Sequence, residues 1–278
     1  MKIKHKKIDL STKMVMGILN LSYNSFYDGG KYNSDKEIIN QVEKMLLEGA
    51  SIIDIGAQSS KPGSHEISES EELIKLTQCI KLIKTKFPNT ILSIDTYRSH
   101  VAEQCINNGA DIINDISAGE LDKNMYQTIA KFQVPYIIMH MKGVPLTMQE
   151  HPTYTNVIKE IFTYFEKKIK KLKQIGINDI AIDPGFGFGK TTEDNYKILN
   201  NLKKLKELNK PILIGASRKS MIYNVIEKKS ENSLNGTTII NTIALQNGAN
   251  ILRVHDVKEA LECIKITNFA QNNISWNS

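Results

Sequence analysis

A (β/α)8 barrel, eight strand–helix units closed into a ring, is the fold this sequence predicts, and three observations carry it. A short phrase recurs: Glu48-Gly49-Ala50-Ser51-Ile52-Ile53-Asp54 is echoed by Asn108-Gly109-Ala110-Asp111-Ile112-Ile113-Asn114, with variants at Ile175-Gly176-Ile177-Asn178-Asp179-Ile180 and Asn247-Gly248-Ala249-Asn250-Ile251-Leu252. Each phrase reads as a helix ending on a left-handed glycine and then a short buried strand, the junction of a repeating unit. Eight strand-like apolar runs follow one another, at 14–20, 51–57, 91–96, 111–117, 136–141, 179–184, 211–217 and 249–256, with helical patterns between them. The length, 278 residues, suits one such barrel. No linker or low-complexity segment interrupts it, so residues 1–278 read as one domain. An open doubly wound sheet is the alternative, but the first strand-to-helix turn lacks a G-x-G-x-x-G phosphate loop.

The elements follow in order. The first run, Met14 to Asn20, leads into a long polar loop, Leu21 to Asn33, that holds Ser22, Asn24, Ser25, Asp28, Gly29 and Gly30. The second leads into another, Gln58 to Ser68, with Ser59, Ser60, Lys61, Pro62 and Gly63. Long, flexible loops at the functional end of a barrel act as lids. The clearest helix spans 155–176, with Ile158, Ile161, Phe162, Phe165, Ile169 and Leu172 on one face; its lysine run, Lys167 to Lys173, reads as the wet face. The run at 179–184 ends in Asp183-Pro184-Gly185-Phe186-Gly187-Phe188-Gly189-Lys190, and a helix is expected over 191–208. Pro184 cannot donate to a ladder, so the strand stops there, and the glycines let the backbone approach a ligand. Asp183 then stands at the strand tip.

In a barrel of this kind function collects at the C-terminal ends of the strands. The polar residues at those ends are Asn20, Asp54, Asp95, Asn114, His140, Asp183, Ser217 with Arg218 and Lys219, and Arg253 with His255. Singly, Asp95 or Asn114 could cap a helix and His140 could be a satisfied buried imidazole. A ring of them is not explained by stability alone. Arg253 and His255, two apart on a strand, suit a phosphate or carboxylate, the alternative being an ion pair with Asp256.

Bulk composition narrows the classes. A hydrophobic content of 41% with 24% charged residues is that of an ordinary globular chain. The net charge of +6 reflects a general excess of lysine, without a basic cluster interleaved with aromatics, so no nucleic-acid partner is expected. No apolar run is long enough to span a membrane, and the short run after the basic N-terminus lacks a cleavage site, so the expected location is cytoplasmic. Cys79, Cys105 and Cys263 are scattered and odd in number, as buried thiols in a reducing compartment would be.

These residues also carry a resemblance. The phrases Met16-Gly17-Ile18-Leu19-Asn20, Ser25-Phe26-Tyr27-Asp28-Gly29-Gly30, Ser93-Ile94-Asp95-Thr96, Ile113-Asn114-Asp115, Met139-His140-Met141-Lys142-Gly143, Thr147-Met148-Gln149, the glycine-rich stretch, Ser217-Arg218-Lys219-Ser220 and Arg253-Val254-His255-Asp256 occur in the order and spacing of dihydropteroate synthase, along nearly the whole chain. The resemblance implies condensation of a dihydropterin-methyl diphosphate with 4-aminobenzoate, releasing pyrophosphate. It implies that Asp95, Asn114, Met139, Asp183 and Lys219 hold the pterin. It places Asn20, Ser60, Arg253 and His255 on the diphosphate, Asn20 through Mg²⁺, and Phe26, Ser60, Lys61, Phe188, Ser217 and Lys219 around the aminobenzoate. Of these, Asn20, Asp95, Asp183, Lys219, Arg253 and His255 would carry the catalysis. It also implies a homodimer through late helices of the barrel. The departures are in the loops. Ser22-Tyr23-Asn24-Ser25 stands where the family has Thr-Pro-Asp-Ser, and Gln58-Ser59-Ser60-Lys61-Pro62-Gly63 where it has Glu-Ser-Thr-Arg-Pro-Gly. Lys61 keeps a charge but not the planar fork of arginine. A pterin-binding barrel that has lost turnover is therefore the alternative, and a methyltetrahydrofolate-dependent methyltransferase is a more distant one.

Overall fold

The computed structural model describes residues 2–3, 6–7, 9–21, 31–57, 67–143, 148 and 152–272. Its centre is an eight-stranded parallel sheet rolled into a barrel. The strands are β1 Met14–Asn20, β2 Ile52–Gly56, β3 Leu92–Asp95, β4 Ile112–Asp115, β5 Tyr136–Met139, β6 Ile180–Asp183, β7 Leu213–Ile214 and β8 Ile251–Val254. They run in the order β6-β5-β4-β3-β2-β1-β8-β7. The seam between β6 and β7 is closed by a parallel bridge, Ile182 to Ile212, in which the Ile182 N–H donates to the Pro211 carbonyl at 2.9 Å. The principal helices are α1 Lys31–Leu47, α2 Glu69–Lys86, α3 Ser99–Asn107, α4 Met125–Phe132, α5 Val157–Gln174, α6 Thr192–Asn200, α7 Leu234–Gln246 and α8 Val257–Asn272.

The strands carry two alternating sets of side chains, as the period of two requires. One set, with Val15, Ile53, Ile94, Ile113, Ile138, Ile182, Ile214 and Leu252, points outward and packs under the helices. The other, with Met14, Met16, Ile52, Ile112, Ile137, Ala181, Leu213 and Ile251, fills the lower barrel, and Leu10 closes it from beneath. Two residues further along β2, β4, β5, β6 and β8 from these inward positions come Asp54, Asn114, Met139, Asp183 and Arg253. The inward set therefore turns polar at the C-terminal mouth, on a packed apolar floor. Register fixes the neighbours: Asp95 lies opposite Asn114, Met139 opposite Asp183 and Arg253 opposite Met16.

The repeated glycine phrase behaves as its composition predicts. Gly49, Gly109, Gly176 and Gly248 all take φ between +85° and +112°, where a side chain is strained. The three cysteines are buried and unpaired. Among the described residues no helix is long and apolar enough to cross a membrane.

Some expectations need correction. The first helix begins at Lys31, so the preceding loop is shorter than 21–33. The helix over 191–208 breaks at Asn201, whose side chain donates to the Lys197 carbonyl at 2.8 Å and competes with the helical ladder. The strand expected over 211–217 is only Leu213–Ile214, because Pro211 cannot donate to the neighbouring strand and Gly215 onward bends into the site. Lys168 is not on the wet face of α5. Its ammonium donates to the Ala118 carbonyl at 3.0 Å and to the Tyr126 hydroxyl at 2.9 Å, and it pairs with Glu120 at 3.0 Å.

The chain enters at the base of the barrel. Leu10 lies under β1, the Ser11 carbonyl accepts from Asn250 at 2.5 Å, and Lys13 donates to Gln271, near the end of α8, at 2.7 Å. Leu10→Ala should therefore lower the free energy of unfolding by about 2–4 kcal/mol through a cavity at the barrel floor. Urea unfolding measures this, and an unchanged midpoint would show that the floor is sealed without it.

Candidate active site

The mouth of the barrel is organised around Arg253. Its Nε donates to Asp54 Oδ2 at 2.6 Å and its Nη2 to Asp95 Oδ2 at 2.8 Å. The same Asp54 oxygen accepts from Asn114 Nδ2 at 3.3 Å. Asp54 is fully buried, and its Oδ1 has no hydrogen-bond partner among the described residues. Burial pushes the Asp95 carboxyl up to about 7; Arg253 opposes that and the negative charge of Asp54 adds to it. Burial lowers the affinity of Arg253 for its proton, but Asp54 and Asp95 outweigh this and hold it firmly charged. Asp256 is not the partner of this arginine; it pairs with Arg218 instead.

The glycine-rich loop forms the opposite wall. Asp183 Oδ1 accepts the Gly185 N–H at 2.7 Å, which folds the loop back on the strand tip. Gly185 and Gly189 take φ of +71° and +62°. A Cβ on Gly185 would run into the His140 carbonyl, and one on Gly189 into that of Lys142, so the loop is wedged against the end of β5. Gly187 N–H donates to Asn195 Oδ1 at 3.0 Å. Burial raises the Asp183 pKa, with Lys219, the Gly185 N–H and Arg253 acting against it. Lys219 donates to the Phe186 carbonyl at 2.6 Å, and its ammonium stands 4.6 Å from the centre of the Phe188 ring. Burial lowers its pKa to about 8, with Asp183 opposing. A second lysine, Lys190, is buried behind the loop and bridges the Phe188 and His140 carbonyls at 2.9 and 3.1 Å.

Between these walls Met139, Met148 and Phe188 make a small apolar cluster, with Ile116 and Met141 against it. Asn20, exposed at the tip of β1, brings its Oδ1 beside Gly56 and Asp95: a Cβ on Gly56 would be 3.8 Å from that oxygen and 3.7 Å from Asp95 Oδ2. Ser217 Oγ accepts the His255 N–H at 3.3 Å and lies 3.1 Å from His255 Nδ1. Among the described residues no three His, Cys, Asp or Glu side chains cluster as a metal cage.

The structure thus gathers Asn20, Asp95, Asn114, Met139, Asp183, Phe188, Ser217, Lys219, Arg253 and His255 around the barrel mouth. Phe26, Ser60 and Lys61, and the loop positions Tyr23, Asn24 and Gln58, lie outside the described residues. His140 is buried, and its Nδ1 has no hydrogen-bond partner among the described residues. Burial lowers its pKa to about 3, keeping it neutral. Two contributors received no role from the sequence. Asp54 was visible as a polar strand end two residues after Ile52, and Lys190 follows the last glycine of the loop.

Chemically, the mouth offers ionisable carboxylates and an amide to a ring edge with several N–H groups, a thioether and aromatic wall to its face, and cations to an anion. Comparison with known proteins agrees. The family model described as pterin binding enzyme matches residues 16–255. Dihydropteroate synthase of Haemophilus influenzae is 40% identical over 264 residues, covering 94% of this chain and 95% of that protein. A folate synthesis bifunctional protein of Arabidopsis thaliana is 38% identical over 93% of this chain, which spans 57% of that longer protein. The crystal structure of Yersinia pestis dihydropteroate synthase with a sulfonamide drug complex superposes with a TM-score of 0.91 at 36% identity, covering 98% of this chain and 99% of that one. The chain belongs to the dihydropteroate synthase family of pterin-binding enzymes.

Proposed function

We propose that this chain, as one barrel domain over residues 1–278, condenses (7,8-dihydropterin-6-yl)methyl diphosphate with 4-aminobenzoate to give 7,8-dihydropteroate and pyrophosphate. The observation that supports it best is the combination in one mouth of buried Asp54, Asn114 and Asp183, the apolar Met139–Phe188 wall and the Arg253 cation. A pterin edge presents an amino group and ring N–H groups that want acceptors in a dry slot. Asp95, Asn114 and Asp183 would supply acceptors, Lys219 a donor, and Met139 would pack on the ring. The unpaired Asp54 Oδ1 is a further acceptor in the same layer.

Arg253 and His255 would hold the diphosphate. Asp54 and Asp95 engage Nε and Nη2 of Arg253, and Nη1 would meet the anion. Asn20 fits a Mg²⁺ role: a single neutral amide oxygen, exposed beside Asp95, suits an ion that takes its other ligands from phosphate and water. When bound, Mg²⁺ supplies charge neutralisation to the departing pyrophosphate. The carbon–oxygen bond to the diphosphate breaks, and its electron pair leaves with pyrophosphate, held by Arg253 and His255. Asp95 and Asp183, as carboxylates, stabilise the electron-poor methylene left on the pterin. The arylamine nitrogen then forms the new carbon–nitrogen bond and loses a proton. Lys219 and Phe188 would bound the arylamine pocket, with Phe26, Ser60 and Lys61 from the two loops. Ser217, whose hydroxyl is engaged by His255, would wall that pocket rather than donate into it. A sulfonamide, which resembles 4-aminobenzoate, would compete there.

We place the enzyme in the cytoplasm as a homodimer. The support for the dimer is the exposed apolar residues of α7 and α8, Ile239, Ile266 and Phe269, which are 50%, 68% and 74% exposed, on helices that touch through Cys263 and Thr238. Ile239→Glu with Ile266→Glu should shift the protein to monomer in sedimentation; a monomeric wild type would refute the assignment.

The deciding assay is release of pyrophosphate with and without 4-aminobenzoate, in Mg²⁺ and in EDTA. Dihydropteroate formed only with Mg²⁺ is the expected result. Pterin binding without product would instead identify a binding protein that has lost turnover.

The pH dependence follows from the carboxylate and the lysine. Asp95 must be ionised and Lys219 charged, so kcat/KM should fall as pH drops through about 7 and again as it rises through about 8. Asp95→Asn should lose the acid limb and about a hundredfold in kcat/KM with an unchanged unfolding midpoint. A flat profile, or near-normal turnover in that variant, would contradict the role of Asp95.

A further inference from the structure

The loops after β7 and β8 are joined residue by residue. Ser217 meets His255 through the two contacts of its hydroxyl, and the next residues, Arg218 and Asp256, meet in a two-pronged ion pair. Arg218 Nε donates to Asp256 Oδ2 at 2.9 Å and Nη2 to Asp256 Oδ1 at 2.7 Å, the fork-on-carboxylate geometry that fixes orientation as well as charge. The Arg218 N–H donates to Thr237 Oγ1 at 3.2 Å and its carbonyl accepts from Ser230 Oγ at 3.0 Å, so the turn is also anchored to α7 and to the segment before it.

Arg218 sits at φ +57°, a left-handed conformation that strains a residue with a Cβ. Glycine would make this turn without strain. The turn closes through the Lys219 N–H and the Ala216 carbonyl at 3.2 Å, and it sets Lys219 facing the glycine-rich loop. The guanidinium itself points away from that loop, to Asp256. Partly exposed pairs of this kind add little to stability. What the pair does geometrically is lock two strand ends that carry different parts of the site: Ser217 and Lys219 on one, Arg253 and His255 on the other.

We propose that Arg218 and Asp256 are positioning residues whose ion pair sets the spacing between the arylamine side of the site, at Lys219, and the diphosphate side, at Arg253 and His255. This rests on the dihydropteroate synthase reading and deepens it. Attack by an amine on a carbon losing pyrophosphate depends on alignment of the two, and small displacements are costly to rate. Three of the four polar groups assigned to the pterin edge, Asp95, Asn114 and Asp183, stand on other strands, and only Lys219 is on the turn that the pair holds.

The test compares Arg218→Gly, Asp256→Asn and the double variant. Arg218→Gly keeps the left-handed turn and removes only the side chain; Asp256→Asn keeps the shape and removes the charge. Each single variant should raise KM for 4-aminobenzoate and weaken pyrophosphate binding about tenfold, and the double variant should be no worse than the worse single, because both lose the same ion pair, Arg218→Gly losing in addition the 3.3 Å bond from Nη1 to the Glu231 carbonyl. Affinity for 6-hydroxymethylpterin alone should change by less than about threefold, with the melting temperature nearly unmoved. A normal KM in Arg218→Gly would show that only the backbone matters and overturn the proposal. Additive losses in the double variant, or a parallel loss of pterin affinity, would overturn it too. A wild-type protein that makes no dihydropteroate would overturn the functional reading and this proposal together. An active wild type with unaffected variants would overturn this proposal alone.

Discussion

The site depends on one buried cation. Arg253 rises from β8 between Asp54 and Asp95, two carboxylates that would repel each other at the top of a dry barrel. Asp95 alone in that position would tend to take up a proton, and the arginine alone would be a buried unpaired charge. Together they form a layer in which each charge has a partner and donor or acceptor capacity remains for a ligand. Asn114 ties into this layer through Asp54, and Asp183 feels the same cation. Removing Arg253 would leave two carboxylates buried without their cation, which is far more destabilising than never having built the cluster, whereas neutralising Asp95 leaves Arg253 still paired with Asp54.

The layer is possible because of what lies under it. The inward positions below are Met, Ile, Leu and Ala, so the polar groups rest on a packed apolar floor. On the far side, the glycine-rich loop is pressed so closely onto the end of β5 that side chains on Gly185 and Gly189 have no room. Lys190, from behind, ties that loop to the same strand end. Asp183 is therefore held by a nearly incompressible backbone. That suits a residue whose task is to meet a flat ring at a fixed distance.

Most of the barrel was legible because it rests on short-range rules. Gly49, Gly109, Gly176 and Gly248 mark helix ends by backbone geometry alone, and residues two apart on a strand share a face, so a polar residue after an inward Ile marks the mouth. Asp95, Asn114, Asp183 and Arg253 were legible as polar residues at the C-terminal ends of apolar strand runs. Their partners were not, because pairing depends on how distant strands align. Arg253 could have met Asp256, its near neighbour in sequence, but the sheet brings Asp54 from 199 positions away. Lys168 looks like a solvated lysine in a lysine-rich run, and Lys190 merely ends the glycine-rich stretch; only the packed structure shows one tying α5 to the turn after β4 and the other bracing a loop. The break at Asn201 is a contest between a side-chain amide and a helical ladder that no periodicity reveals.

The seal at the base of the barrel bears on how such a unit can be joined to others. Leu10 plugs the floor, and Lys13 reaches Gln271, so the two ends of the described barrel meet on the side away from the mouth. A partner appended at either end would hang beneath the barrel, leaving the approach to the catalytic face open. The fold is in that sense modular: its chemistry and its points of attachment occupy opposite poles, and tethering to a neighbouring catalyst would require no redesign of the site.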